Sequence, residues 1–375
     1  MLLTRFCYQN TASALRNCID DLAEKGALTV LILACEADGW TPELLNAMLK
    51  TVKVSIAGGI FPNIIHEHEV RESGTAIIGI PQRLDIAVLR NLSEKESRVH
   101  AAVHKQGKIF GPSDSLLIFV DGLAQHIERL VSSLYTVAGS SVNAVGAGAG
   151  HSDMVQRPCV FTNQGLLDDA AIIVKLPFKT YTGIKHGWQL LQGPYSVTKS
   201  KGNSLKALNY EHAYGVYRTQ VEAACGRKLL DNNFFDITRN YPLGVQDAHG
   251  RQIVRDPIRM EGRDLVCLGG VPENAMVYIL QGDSEKLIRS AAGAANKACT
   301  SFYKHNNTAI EGMMVFDCIS RKMLLGENFV HELNAIKEVS QTNGLGFGAL
   351  TISEIANGSN APINLLNKSV VVSVF

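Results

Sequence analysis

The chain carries almost no excess of charge: 36 Lys and Arg stand against 35 Asp and Glu in 375 residues, a formal net charge of +1. So balanced a surface sets up no long-range field toward nucleic acid or anionic membranes. No run of Lys or Arg reaches the density of a phosphate-binding face, which removes nucleic acid from the expected partners. The eight cysteines contain no C-x-x-C pair and mostly fall inside apolar stretches. That is the habit of small buried thiols in a reducing compartment rather than of a disulfide framework. The opening MLLTRFCYQN lacks the long apolar centre of a signal peptide, and no stretch approaches a membrane span, so a cytoplasmic location is expected. Neither a G-x-S-x-G elbow nor an H-E-x-x-H helix occurs, and no enzyme activity is expected.

What is present is a repeated plan: an apolar strand, a helix, a second strand ending in glycines, a polar loop, then a third strand. The first unit runs through Thr29–Cys35, a helix opening at Thr41-Pro42-Glu43, Val54–Gly59 and Thr75–Ile80. The second runs through Ser115–Asp121, a helix to about Ala138, Val142–Gly150 and Ala170–Leu176. The third runs through Gly312–Cys318, a helix near Phe329–Ser340, Leu345–Ile352 and Ser369–Phe375. Apolar stripes mark the helices: Leu44, Leu45, Met48, Leu49 and Val52 in the first, Leu123, Ile127, Leu130, Val131 and Leu134 in the second, Phe329, Leu333, Ile336 and Val339 in the third. The strands are continuously apolar, as strands buried on both faces are, and strand–helix–strand at this spacing predicts parallel crossovers. The fold class is α/β with mixed sheets.

Hydrophobic residues at 46% and charged residues at 19% describe an ordinary folded chain, and its length exceeds one small core. A boundary near Phe178, without a long linker, gives tightly packed domains 1–178 and 179–375. Ser93 and Glu96 predict a capping box before a short helix carrying Val99, His100 and His104. After Pro177, Ser196–Ser200 and Ser204–Leu208 flank Gly202-Asn203 as a β-hairpin. A helix about Glu211–Cys225, short strands with turns at His249-Gly250 and Pro272-Glu273-Asn274, and an alanine-rich helix Ser284–Cys299 follow.

Several motifs have bland readings. Gly146, Gly148 and Gly150 invite comparison with G-x-G-x-x-G, but the third glycine would fall at His151 and no convincing helix opens there. They read instead as small residues that let the strand end approach a neighbour or a ligand. His66-Glu67-His68 and the pair His100/His104 have spacings that can bind metal, yet read as surface residues. Cys318 reads as a core cysteine. Asp317, Arg321 and Glu354 are expected to form an ion-pair network fixing the ends of adjacent strands.

The order of motifs resembles the FIST family, a two-part sensory module. Its N-terminal half is similar to Val54–Pro62 (VSIAGGIFP), Gly146–His151 (GAGAGH), Pro158–Gly165 (PCVFTNQG) and Asp169–Leu176. Its C-terminal half is similar to Gly183–Trp188 (GIKHGW), Val197–Leu208, Tyr241–Leu243, Val254–Pro257 (VRDP), Asp317–Arg321 (DCISR), Glu354-Ile355-Ala356 and Asn367-Lys368-Ser369. The chain departs from the pattern at Ser353, where the family has Gly, and at Asn209-Tyr210-Glu211-His212, where it has an Asp-Gly-x-Pro turn.

Within the family, the GGIFP, GAGAG and PCVFTNQG run is most similar to a bacterial nitric-oxide-sensing branch. That resemblance implies haem b held by a histidine, nitric oxide as the signal, and a shift of the two halves when the gas binds. His186, between Lys185 and Gly187-Trp188, is the first choice of iron ligand, with His212 and His151 next. Trp188 would face the porphyrin, and Lys185 or Arg218 would pair with a propionate. The resemblance further implies, as partner in a two-component pathway, a histidine kinase or a cyclic-di-GMP enzyme (a diguanylate cyclase or phosphodiesterase). With no kinase, cyclase or DNA-binding segment read in the chain, output is expected to pass to that separate protein, and the reading allows a homodimer. The alternative is a sensor of a small, amino-acid-like metabolite without haem.

Overall fold

The computed structural model describes residues 2–247, 250–342, 344–358 and 360–375, so His249 of the predicted turn lies outside the described residues. The chain traces one plan three times. The first unit is β1 (Leu3–Cys7), α1 (Ala12–Glu24), β2 (Thr29–Cys35), α2 (Pro42–Leu49), β3 (Ser55–Phe61), β4 (Asn63–His66), β5 (Glu69–Arg71) and β6 (Thr75–Ile80). The second is β7 (Ile86–Arg90), α3 (Glu96–Gln106), β8 (Ser115–Asp121), α4 (Ile127–Ala138), β9 (Asn143–Ala149), β10 (Val160–Thr162), β11 (Gly165–Leu167) and β12 (Ala170–Leu176).

The third unit opens on β13 (Tyr181–Lys185) and is then interrupted by an insert. The insert comprises β14 (Gln189–Lys201), β15 (Ser204–Leu208), β16 (Glu211–His212), α5 (Ala213–Cys225), α6 (Phe234–Thr238), β17 (Leu243–Gln246), β18 (Gln252–Glu261), β19 (Asp264–Leu268) and β20 (Met276–Gln281). The unit resumes with α7 (Ser284–His305), β21 (Gly312–Cys318), α8 (Ile319–Leu325), α9 (Phe329–Ser340), β22 (Leu345–Thr351), β23 (Ser353–Ala356), β24 (Asn364–Leu366) and β25 (Val370–Val374). The repeat therefore begins one strand and one helix before the segments that hydrophobicity picks out.

Three six-stranded sheets share one order: β1-β6-β2-β3-β10-β11, β7-β12-β8-β9-β23-β24 and β13-β25-β21-β22-β4-β5. The helix-linked strands β2 and β3, β8 and β9, and β21 and β22 are parallel, as the sequence predicts. The closing strands β6, β12 and β25 return antiparallel. β2, β8 and β21 are buried along their whole length.

The outer two strands of each sheet are borrowed. Hairpin β10–β11 of unit two completes the sheet of unit one, β23–β24 of unit three completes that of unit two, and β4–β5 of unit one completes that of unit three. Phe61, Phe119 and Phe316, one from each unit, meet at the centre with ring centroids 6.0 and 6.2 Å apart. Position 178 lies between units two and three, and strands from both sides of it share two of the sheets.

The glycines of the second strands have a common cause. A Cβ on Gly58, Gly146 or Gly348 would run into the carbonyl oxygen of Ile32, Ile118 or Val315 on the neighbouring parallel strand. Here the close approach is between strands. In the insert, β14 pairs with both β20 and β15, so β14-β20-β17-β18-β19-β15 runs in a ring. Tyr217 and Val221 of α5 are buried against this ring.

Several local predictions shift. Ser93 does not cap α3; its hydroxyl donates to Asp169 Oδ1 at 2.6 Å and accepts from the Gln125 N–H, and Lys95 holds the cap position. Leu44 and Val339 face solvent, and Glu332 takes a buried place on α9. His66 is buried and lies 3.1 Å from the Thr4 hydroxyl, so the His66-Glu67-His68 turn is only partly a surface feature.

Candidate functional site

Two cavities flank the insert. The larger, of ≈ 440 Å³, lies among Glu128, Ser200, Gln246, Arg255 and Val271. Its buried cation is fully engaged: Arg255 donates to the carbonyls of Gly270, Val254 and Leu365 and to Glu128 Oε1. The second, of ≈ 360 Å³, is a cleft between the insert and the three-unit core. Ser152, Asp153 and Met154 enter it from the loop after β9, and Cys318, Ile319, Ser320 and Ile352 from the ends of β21 and β22. Phe235, Asp256, Ile258, Arg259 and Leu268 come from the insert. Glu36, just after β2, accepts from the Ser152 N–H at 2.7 Å and its hydroxyl at 2.6 Å, so all three units shape this mouth.

Asp256 is the polar centre of the cleft. It is 4% exposed, its Oδ2 lies 2.9 Å from Lys368 Nζ, and its Oδ1 has no partner among the described residues. Burial pushes its carboxyl up and Lys368 opposes that shift. A buried carboxylate oxygen left unpaired is costly, which marks the atom as one that awaits a donor.

Lys368 is held firmly. Its Nζ donates to the Arg239 carbonyl at 3.0 Å and lies 5.2 Å from the Trp188 ring centre, and the Trp188 indole donates to its carbonyl at 2.8 Å. It sits at φ +50°, a conformation a non-glycine residue keeps only where its surroundings enforce it. Beneath it Glu354 accepts from the Thr351 hydroxyl at 2.7 Å and the Ser369 N–H at 3.1 Å. Burial pushes its carboxyl up to about 8.

The Cys318 thiol, 3.0 Å from the Ser320 hydroxyl, is pushed far up by burial, which denies it the thiolate a nucleophile needs. Behind it Arg321 grips Glu332 through two hydrogen bonds of 3.0 and 2.8 Å and pairs with Asp317 at 3.1 Å. The expected network thus forms around Glu332, with Glu354 held by Thr351 and Ser369 instead.

None of His186, Trp188, Lys185, His212 and Arg218 lines the cleft. His186 and Trp188 stand behind it: the His186 carbonyl accepts from Arg321 at 2.6 Å, and Trp188 backs Lys368. Lys185 is exposed. His212 and Arg218 belong to the insert, His212 lying 2.8 Å from Arg263 and Arg218 5.5 Å from the Tyr214 ring. Asn209 and Tyr210 turn outward, Tyr210 fully into solvent. His151 is buried with Nδ1 unpartnered among the described residues.

The residues around His186 do not fit a haem. The Trp188 backbone N–H donates to His186 Nδ1 at 3.1 Å, so that nitrogen accepts and the ring proton sits on Nε2. An axial ligand needs the reverse arrangement: a free lone pair on the ligating nitrogen and an N–H donor on the other. Gly187 makes its close approach to Ser290 and Leu287 of α7, and the Trp188 indole is covered by Gly282 and Lys368. Among the described residues no group of three or more His, Cys, Asp or Glu could hold a metal ion.

The architecture is that of a two-part α/β protein whose repeated core and inserted sheet enclose the cleft of Asp256 between them. Residues 29–211 match the FIST N domain and residues 213–357 the FIST C domain, and the chain belongs to the FIST family. These are sensory signal-transduction domains. The cleft draws Ser152–Met154 from the first match and Asp256, Cys318 and Ile352 from the second. No curated protein matches the chain. Among the described residues no helix is long and apolar enough to cross a membrane.

Sequence reasoning passed over Asp256 and Lys368 although both stand in quoted motifs, VRDP and Asn367-Lys368-Ser369. Their signal was a buried-looking charge in an apolar context, which a search centred on histidine does not weigh.

Proposed function

We propose that the chain senses a small, amino-acid-like metabolite bound in the cleft, with an ammonium group donating to Asp256 Oδ1. The observation that carries this reading is that unpaired, buried carboxylate oxygen of a residue lining a mostly apolar cleft, with Phe235, Ile258, Leu268, Ile319 and Ile352 among its walls. Arg259 at the rim makes an exposed pair with Glu261, 2.8 Å long. Such pairs are weak, and a ligand carboxylate can take Glu261's place. Binding would fix the insert, through Asp256, against the core loops that carry Ser152 and Cys318. The change would pass to a separate partner, a histidine kinase or a cyclic-di-GMP enzyme, from a cytoplasmic protein that performs no chemistry on its ligand.

The test is a thermal-shift screen of the full chain against amino acids, amines and matched molecules lacking the amine. Amine-bearing compounds should raise the Tm, and Asp256→Asn should weaken the best of them about 10- to 100-fold, as a lost charged hydrogen bond does. A ligand indifferent to Asp256→Asn sinks the assignment. The haem reading keeps its own test: protein from haem-supplied cells showing a Soret band that nitric oxide shifts would replace the metabolite.

A further inference from the structure

Cys7 ends β1, and Cys18 lies on α1, which packs over it. The ion pair between Arg5 and Asp21 fixes how the helix crosses the strand. Two residues on from Arg5, on the same face of the strand, is Cys7; one helical turn back from Asp21, on the same face of the helix, is Cys18. The two steps run in opposite chain directions, so a helix antiparallel to the strand brings the thiols opposite each other. Cys7 is buried in the core cluster against which Cys18 packs, and the two thiols are close enough to interact. The Cys7 thiol donates to the Gln9 carbonyl at 3.2 Å. Cys18 is half-buried, within reach of solvent. Both thiols are free.

We propose that Cys7 and Cys18 are a modification site: a hydroperoxide converts them to a reversible disulfide that staples β1, an outer strand of its sheet, to α1. The Cys18 thiolate attacks a peroxide oxygen and the O–O bond breaks, leaving a sulfenic acid on Cys18. With hydrogen peroxide, the released hydroxide takes the thiol proton as water. The Cys7 sulfur then attacks the Cys18 sulfur, the S–S bond forms, the S–O bond breaks, and hydroxide leaves with the Cys7 proton as a second water. Two thiols lose two electrons and two protons, and one peroxide becomes two waters. Burial and the neighbouring Cys18 push the Cys7 thiol up to about 11, which slows the second step without preventing it. A low-molecular-weight dithiol reverses the reaction by exchange. Intracellular disulfides are mostly of this transient kind.

The experiment treats the full chain with hydrogen peroxide, blocks remaining thiols, and digests with trypsin. The expected product links the peptide Phe6–Arg16 to Asn17–Lys25, with the mass of the intact monomer lowered by two hydrogens and restored by a dithiol. In Cys7→Ser the link should vanish and Cys18 should become reactive to a sulfenic-acid reagent, while circular dichroism confirms the native fold. Equal trapping of sulfenic acid on Cys18 in the native chain and in Cys7→Ser would overturn the proposal. So would a link that joins two chains, or a peroxide-treated chain in which both thiols remain alkylatable.

Discussion

Lys368 Nζ lies 2.9 Å from Asp256 Oδ2 with both side chains withdrawn from solvent, and this contact ties the insert to the last turn before β25. Removing one member of a buried pair strands the other charge, at a cost of about 3–5 kcal/mol. Lys368→Met should therefore lose about that much in urea unfolding. Lys368→Met combined with Asp256→Asn should recover most of the loss, because no charge remains to be buried. Additive losses in the double variant would mean that the pair is not coupled.

Glu354 predicts a pH dependence with a definite sign. Its folded carboxyl titrates at about 8, above the ordinary value of 4.5, so the folded state holds a proton that the unfolded chain releases. Its contribution is present below pH 4.5 and is lost as pH rises toward 8. Glu354→Gln keeps the uncharged form, and the Thr351 hydroxyl can turn to the Asp317 carbonyl, 3.3 Å away. The variant should be about 1–3 kcal/mol more stable than the parent at pH 8 and nearly equal to it at pH 4.5, on a scale of about 1.4 kcal/mol per pH unit. Parallel stability curves from pH 4.5 to 8 would refute the assignment.

His186 predicts the opposite slope. Burial, then the charges of Arg321 and Lys185, push its imidazole down to about 4 from 6.5. The unfolded chain takes up the proton first, so stability falls as pH drops from 6.5 to 4, by about 1–2 kcal/mol once the solvent still reaching the half-buried ring is allowed for. Its Cε1–H proton resonance should stay at the neutral position down to pH 5. Titration near 6.5 would show that the ring is not desolvated.

The strand glycines should divide cleanly from a helical one. Gly146→Ala and Gly348→Ala place a methyl group on a backbone carbonyl that cannot move aside, and both chains are expected to be recovered unfolded. Gly215→Ala on α5 meets nothing within 4 Å and should stabilise the protein by about 0.5–1 kcal/mol. Soluble, native-like Gly146→Ala would remove the close-approach explanation.

The buried strands were legible because seven-residue apolar runs such as Thr29–Cys35 and Gly312–Cys318 carry a strong signal, and the parallel pairing follows from the helix between them. The hairpins β4–β5, β10–β11 and β23–β24 were not, since strands of three or four residues have no periodicity to read. Their partners also lie in another unit, a choice made by tertiary packing. The ring of insert strands hid for a similar reason: much of β14 alternates half-buried and exposed residues, and only its Ser196–Ser200 end, facing Ser204–Leu208, reads as a hairpin. At the site, His186 drew attention as a residue type, but its carbonyl and ring nitrogen are spent on Arg321 and on the Trp188 backbone. The buried pair at the cleft, Asp256 and Lys368, is separated by most of the third unit and becomes visible only once the chain folds.

The hairpins handed from each unit to the next form a closed circuit. No cut through the core separates it into two bodies without tearing a ladder of backbone hydrogen bonds, so a clamshell motion of one FIST half against the other is not open to this molecule. Among the described residues the inserted ring of strands is joined to the core by side chains and two chain crossings, so it can tilt while the circuit stays shut.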